Sequence, residues 1–219
     1  YANNSQYSSE ASSNYHGLHV SFVQRPTRWA NYRVSYAYSK SMNNVGEAFF
    51  SSPIDPTDLS KDWGRSDDDQ RHRLVANGAV NGHGFEVSSM LQYYSALPFN
   101  ITSGVTTVQG TAGRPLVGGA FIPRNAGIGG DFFSVSLRVS RSFAVRSGTK
   151  VEAAVEAFNL TNRRNNLTRN GNFGAGAYPS APPDTFNQST AVSDPPSVHL
   201  AITLRFCCWE NRSSRWRAC

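Results

Sequence analysis

The sequence predicts an all-β protein, and more narrowly the wall of an antiparallel up-and-down transmembrane β-barrel. The first observation is composition: apolar residues make up 39% of the chain, aromatic residues 12% and charged residues only 16%, which suits strands joined by polar loops. The second is that apolar and polar side chains alternate in seven segments. The third is that short and long connections alternate between these segments. Because single-chain bacterial barrels have an even number of strands, we expect a partial barrel, about seven strands of a larger one.

The first four alternating segments span residues 16–25, 29–40, 71–80 and 84–95. Their aligned side chains are Leu18, Val20 and Phe22 in the first segment, Tyr32, Val34, Tyr36 and Tyr38 in the second, and Phe85, Val87, Ser89, Leu91 and Tyr93 in the fourth. The third segment has the weakest pattern because both of its faces mix apolar and polar residues. All four exceed the usual globular strand of about 5–6 residues and match the length of a tilted membrane strand.

The remaining three segments lie at 132–143, 149–160 and 197–206. Their apolar sides carry Phe133, Val135, Leu137 and Val139, then Val151, Ala153, Val155 and Ala157, and finally Val198, Leu200, Ile202, Leu204 and Phe206. Charged residues stand in mid-strand on the opposite sides, namely Arg138, Glu152, Glu156 and Arg205. A polar or water-filled barrel interior tolerates such charges, whereas a dry core does not. We therefore expect the apolar sides to face lipid and the polar sides to face the lumen.

The connections follow the layout of outer-membrane barrels, in which short turns occupy one end and long loops the other. The short ones are 26–28, 81–83 and 144–148, and Asn81-Gly82 is a strong hairpin signal. The long ones, 41–70, 96–131 and 161–196, are rich in Gly, Pro, Asn, Ser and Asp. A soluble sandwich usually varies its loop lengths through Greek-key crossings, so the alternation favours a barrel.

Aromatic residues gather near the ends of the predicted strands, as in the two interfacial girdles of a membrane barrel. At the short-loop end they are Trp29, Phe85, Phe143 and Phe206, and at the long-loop end Tyr93, Tyr94, Phe132, Phe133 and Phe158. A soluble antiparallel sheet with one wet face would explain the alternation equally well. It would not explain the loop layout or the girdles.

The charged and metal-ligating residues predict no catalytic site, cofactor or metal centre. The acidic loop residues Asp58, Asp62, Asp67, Asp68 and Asp69 lack the spacing of a calcium loop, so we interpret them as a solvated loop. The histidines, His16, His19, His72, His83 and His199, show no ligand spacing. Glu152 and Glu156 lie about 13 Å apart along a strand, too far for a retaining glycosidase pair. We therefore interpret them as lumen lining and expect no enzymatic activity.

The distribution of charge and the positions of the cysteines exclude several kinds of partner and site. The net charge of +6 comes from scattered arginines, whereas a nucleic-acid surface would concentrate them in a patch or stripe. We therefore expect no nucleic-acid partner.

All three cysteines, Cys207, Cys208 and Cys219, lie in the last 13 residues, which excludes a disulfide scaffold or zinc site in the body of the chain. The chain starts at Tyr1 without a leader pattern, so we expect a processed product or a fragment.

Several stretches, taken in order, resemble the closing portion of TonB-dependent outer-membrane receptors. They are NYHGLHVSFVQR, YRVSYAYSKSMNN, SDDDQRHRLVANG, YYSALPFNITSG, AGRPLVGG, IPRNAGIGGDFFSVSLRVSRSF, VEAAVEAFNLTNRRNN and the final strand. The closest resemblance is to the subgroup with an N-terminal carboxypeptidase-regulatory-like domain. The resemblance covers about residues 14–206. The order of the pieces is more specific than any single piece.

This resemblance implies a barrel of about 22 strands around a plug domain, located in the bacterial outer membrane. It implies energy-coupled uptake of a scarce nutrient, such as a ferric chelate, a vitamin or an oligosaccharide. The implied partners are outer-membrane lipid and lipopolysaccharide, the assembly machinery, the unknown nutrient, and a TonB complex that would contact an N-terminal region outside this sequence.

The resemblance also divides the chain into a barrel portion, 1–206, and an atypical tail, 207–219. Phe206 is similar to the C-terminal aromatic residue that the outer-membrane assembly machinery reads, where such chains ordinarily stop. The tail is then either a periplasmic extension or the product of a frameshift or read-through, and we favour the second.

Two alternatives from other classes stay open at the level of sequence. One is a small non-transporting outer-membrane barrel or surface-binding module, closed by an eighth strand or by oligomerisation. The other is a soluble secreted β-sandwich that binds polysaccharide.

Overall fold

Seven long strands form one antiparallel sheet in the computed structural model, which describes residues 9–45, 53–105, 107–108, 111–146 and 149–206. Their bounds are β1 Ser13–Gln24, β2 Ala30–Asn43, β3 His72–Gly82, β4 Phe85–Tyr94, β5 Phe132–Arg146, β6 Thr149–Phe158 and β7 Ser197–Phe206. The predicted all-β fold and all seven predicted strands are confirmed. The three cysteines and the tail from residue 207 lie outside the described residues.

Four strands, β1, β2, β3 and β5, run further at one end than the alternation predicted, because backbone pairing continues after the apolar pattern ends. β1 begins at Ser13 and β2 ends at Asn43, and these two residues are directly paired. β5 continues to Arg146, so that residues 147 and 148 alone separate it from β6. The weakly patterned third segment is a full strand because β2 and β4 pair with it on both sides.

Each long strand pairs with the one that follows it in the chain, in the order β1-β2-β3-β4-β5-β6-β7. This is the up-and-down topology of a barrel wall. A sandwich would instead pack two sheets face to face. The seven strands form a single sheet, so the soluble sandwich alternative is wrong.

The register keeps all apolar sides on one face of the sheet. Leu18 pairs with Tyr38, and Val151 pairs with Leu204. Val135 is the partner of Leu91. Large side chains on this face are exposed on inner strands as well, as for Val80 of β3, which is 52% exposed. A soluble protein rarely exposes so continuous an apolar surface, so this is the face that a lipid bilayer covers.

The hairpin between β3 and β4 forms where the sequence predicted it, but its turn lies two residues later. Asn81 and Gly82 are paired within the ladder, opposite Glu86 and Phe85. The turn consists of His83 and Gly84, with φ of 52° and 79°. Two positive φ values are characteristic of the tight type I′ turn, whose twist matches that of the strands. The apolar register, which continues to the Gly82–Phe85 pair, therefore sets the turn position.

The long connections contain short elements of their own. These are a 3₁₀ helix at Leu59–Asp62 and strands at Gly64–Arg65, Pro98–Phe99, Thr107–Val108, Thr111–Ala112, Leu116–Val117, Ala120–Phe121, Gly127–Ile128, Asn166–Arg169 and Ser189–Val192. Gly64–Arg65 extends the main sheet by pairing with the end of β2. The described part of the chain contains no helix with the length and apolar character of a membrane span.

A small apolar core lies among the long connections and not between layers of sheet. It consists of Ile101, Ile122 and Phe173, with Phe99, Tyr178 and Phe186 packed against it. The ring of Phe173 meets those of Tyr178 and Phe186 edge-on, with centroids 4.9 and 5.1 Å away. The second and third long connections are therefore folded against each other.

Candidate functional site: the interior wall and the outer loops

The polar face of the sheet carries the candidate site. The strand register aligns one row of side chains across five strands on this face, and these are His19, Ala37, Arg73, Tyr94 and Phe132. The row lies toward the end of the sheet where the long connections begin. Because the opposite face is apolar and exposed, this face is the interior wall of the barrel.

An ion-pair network crosses β5, β6 and β7 on the interior wall. The Arg138 guanidinium donates to Glu156 and, at 2.8 Å, to Glu152. Arg205 Nη2 donates to the other oxygen of Glu152 at 2.9 Å. The sequence placed these four residues on the polar face, and the structure brings them together. Their pairing depends on the register between strands, which the sequence alone did not reveal.

The network leaves the mid-wall carboxylates engaged by arginines. Glu152 has an almost buried side chain, 12% exposed, and both of its oxygens accept from guanidinium groups. Buried or half-buried charges of opposite sign stabilise each other where desolvation would otherwise penalise them. The arrangement places opposite charges next to each other on the polar wall.

The aromatic residues predicted to form a girdle at the long-loop end divide between the two faces of the sheet, which corrects the sequence interpretation. Tyr93 and Phe133 pair on the apolar face. Tyr94 and Phe132 stack on the interior wall, with centroids 5.4 Å apart, and Phe158 lies there beside His199. Successive residues of a strand point to opposite faces, so a Tyr-Tyr or Phe-Phe pair places one ring on each side. Of the aromatic residues at the short-loop end, three lie on the apolar face, namely Phe85, Phe143 and Phe206.

A recess of about 530 Å³ opens on the interior wall between β1, β2 and β3. Its floor is the run of small side chains Ser35, Ala37 and Ser39 on β2. Larger side chains on the two neighbouring strands border the recess. Side chains of the first long connection border it at the outer edge. These bordering residues are Tyr15 and His19 on β1, Arg73 on β3, and Asp68 and Gln70 from the connection. We call this site the wall recess.

The first long connection is fixed to the sheet by a buried carboxylate. Asp69 accepts hydrogen bonds from the Ser41 backbone at 2.8 Å, from Arg65 Nε at 2.6 Å and from Arg71 Nε at 2.9 Å. Burial would raise the pKa of Asp69, but these hydrogen bonds outweigh it and hold that pKa below its ordinary value.

The predicted solvated acidic loop is therefore wrong for two of its members, Asp69 and Asp62, which are both buried. Asp62 accepts from Arg114 Nη2 at 2.9 Å, an arginine of the second long connection. Burial lowers the pKa of Arg114, although the Asp62 carboxylate works in the other direction. The sequence could not anticipate this, since the partners lie 52 positions apart. In the described part of the chain, no group of three or more His, Cys, Asp or Glu residues could hold a metal ion.

Further contacts join the remaining connections to each other and to the wall. Asn125 Nδ2 donates to the Arg65 carbonyl at 2.8 Å and to Asp67 at 2.7 Å. Asn165 is 1% exposed and satisfies both the N–H and the carbonyl of Phe133 at 2.9 Å. All three long connections thus form a hydrogen-bonded cap at one end of the sheet.

A protein-family model matches this chain in sequence, and a solved structure matches it in fold. Residues 1–122 match the model of a family described as an outer membrane beta barrel domain. The structure is similar to that of the outer membrane transporter YddB from Escherichia coli, with a TM-score of 0.57 and 11% sequence identity. The match covers 89% of this chain and 25% of the transporter chain, so this chain spans about a quarter of that protein's length. No curated protein matches the sequence.

The family match covers more than half of the chain, and the structural match supports the same fold over nearly all of it. Sheet order, exposed apolar face and polar interior wall agree with both. The chain belongs to the outer membrane β-barrel domain family and lies in the bacterial outer membrane.

Proposed function

We propose that this chain is the C-terminal barrel segment of a TonB-dependent receptor that takes up a nutrient across the outer membrane with energy coupling. The nutrient would be a ferric chelate, a vitamin or an oligosaccharide. The observation that carries this proposal is that Asp68 and Gln70 of an outer connection share the wall recess with residues of the interior wall. A ligand that arrives from outside would contact the loop and the wall together.

The similarity to an outer membrane transporter supports this proposal. Passive diffusion needs an open aqueous channel, whereas a long, folded loop cap restricts entry and favours selective capture. In the proposed receptor a TonB complex would act on an N-terminal region, and lipopolysaccharide would surround the outer rim. Phe206, at the end of β7 on the apolar face, would be the residue that the assembly machinery reads.

We assign no enzymatic reaction to the chain. Two carboxylates at mid-wall, Glu152 and Glu156, are paired with Arg138 and Arg205, which supports this assignment.

The test is uptake by cells that produce the full-length protein, supplied with radiolabelled ferric chelates, cobalamin and oligosaccharides. We expect accumulation of one class of ligand, and we expect a protonophore or loss of the inner-membrane TonB complex to abolish it. A matched strain that lacks the gene gives the background. Accumulation that persists without energy would contradict the proposal. No accumulation above the background would contradict it as well and would favour the alternative of a small non-transporting barrel or surface-binding module.

A further inference from the structure

We propose that the wall recess binds a neutral oligosaccharide, with a sugar ring held between Tyr15 and Arg73. This inference rests on the proposed function, which it deepens by naming the ligand class. The recess volume of about 530 Å³ lies within the range of about 300–1,000 Å³ that small-molecule sites occupy.

Small side chains create the space. In the row that crosses the wall, Ala37 stands between His19 and Arg73, where every other member of the row is large. Its neighbours on the same face of β2, Ser35 and Ser39, are small as well. The recess is therefore a property of the β2 sequence and does not depend on a flexible side chain moving aside.

Tyr15 supplies a flat aromatic surface beside this space. A Cβ atom added to Gly17 would lie 2.6 Å from Tyr15 Oη and 3.0 Å from two ring carbons, so the ring lies across the backbone of β1 where only glycine leaves room. The hydroxyl is hydrogen-bonded to His19 Nε2 at 3.2 Å, and Tyr15 is 58% exposed. An exposed aromatic ring with only two side-chain torsions offers the apolar C–H face of a pyranose a stacking partner at low entropic cost.

The polar groups of the recess match a ligand rich in hydroxyls. Ser35, Ser39 and Gln70 provide donors and acceptors, and hydroxyl groups of a sugar can do both. Arg73 is oriented by Gln70, whose Oε1 accepts from Nε at 3.1 Å, and by the Tyr94 ring 5.4 Å away. A pre-oriented guanidinium loses less freedom on binding than a mobile one.

Charge separates an anionic ferric chelate from a neutral oligosaccharide. The formal charges of the recess, Asp68 and Arg73, cancel. An anionic ferric chelate would require a lining with net positive charge, because charge complementarity governs such recognition. A neutral polyhydroxylated ligand needs no such excess and can use the carboxylate and the guanidinium as strong hydrogen-bonding partners.

The experiment is calorimetric titration of the purified full-length protein in detergent. The probes are neutral gluco-, manno- and xylo-oligosaccharides of tetra- to hexasaccharide length, with an anionic ferric catecholate for comparison. Ala37→Leu fills the floor of the recess, and Ala79→Leu makes the same change lower on the same face of β3 as its matched control. Gly17→Ala displaces the Tyr15 ring, whereas Gly82→Ala adds a Cβ where no atom lies within 4 Å.

We expect one neutral oligosaccharide to bind, and we expect Ala37→Leu and Gly17→Ala to weaken it by about tenfold or more, as overpacking of a fitted site does. The two controls should bind like the unsubstituted protein. Equal binding by all four variants would overturn the location. Binding of the ferric catecholate and of no neutral sugar would overturn the ligand class. Heat-modifiable migration on gels verifies that each variant is folded.

The outcome separates this inference from the proposed function. If the sugar binds in the recess but its accumulation in cells does not depend on energy, the site stands and the transport proposal fails. If energy-dependent uptake of another ligand occurs and no neutral sugar binds, the transport proposal stands and this inference fails.

Discussion

At the scale of single residues, the interior wall depends on side chains that neutralise one another across strands. Arg138 is the centre of this network because it contacts two carboxylates that lie four positions apart on the same face of β6, Glu152 and Glu156. The residue types and their face followed from the alternation. Their partners did not, because a pairing across strands is fixed only once the register is known.

We predict that Arg138→Leu destabilises the folded barrel by about 1 kcal/mol, a modest value because solvent at the wall screens the lost pairs. The measurement is urea unfolding in lipid vesicles followed by tryptophan fluorescence. Lys150→Leu, on the same face of β6, is the control and should have little effect. Arg138→Leu leaves Glu152 and Glu156 without their shared partner, so adding Glu152→Gln and Glu156→Gln should restore part of the lost stability. If this triple variant is no more stable than Arg138→Leu alone, loss of the ion pairs does not explain the destabilisation.

Asp69 determines how the first long connection responds to acid. Its pKa is lower in the folded protein than in the unfolded chain, so its contribution to stability is fully present above the ordinary carboxyl pKa. That contribution is lost as the pH falls through the lowered value. We predict that the backbone around Asp69 stays protected from hydrogen exchange at pH 5 and loses protection only in stronger acid. Asp69→Asn should reduce protection already at neutral pH, and unchanged protection would contradict this role.

At the scale of elements, the seven strands were predictable because each alternates over a length that only a strand explains. The exceptions are informative. The third strand was weakly patterned because Gly78 and Ala76 interrupt its apolar side, and its neighbours define it instead. The aromatic girdle was assigned by position along the strand, and a Tyr-Tyr pair divides between the faces whatever its position.

The β3–β4 hairpin gives a prediction at this scale. Gly84 has a φ of 79°, a conformation that costs a residue with a side chain about 1 kcal/mol. We predict that Gly84→Ala lowers the free energy of unfolding by about that amount and that Gly82→Ala, two positions earlier, does not. The same urea titration measures both. An equal loss for the two variants would place the turn at Asn81-Gly82, as the sequence alone indicated.

At the scale of the whole molecule, the sequence predicted the wall better than the cap. Alternation, loop layout and charge placement together indicated a membrane barrel with a polar interior. The cap remained unpredicted because contacts such as Arg114–Asp62 and Asn125–Asp67 join loops more than 50 positions apart. No local pattern encodes contacts of that kind. The wall recess was missed for the same reason, since its lining comes from three strands and a loop.

One face of this sheet meets lipid and the other meets the barrel interior. The most direct test is assembly of Leu137→Arg and Ser136→Arg in lipid vesicles, followed by heat-modifiable migration. These neighbours on β5 lie on opposite faces, and an arginine at mid-membrane on the lipid face costs about 2–4 kcal/mol. We predict that Leu137→Arg impairs assembly and Ser136→Arg does not. Equal assembly of the two variants would contradict the face assignment and, with it, the interior wall.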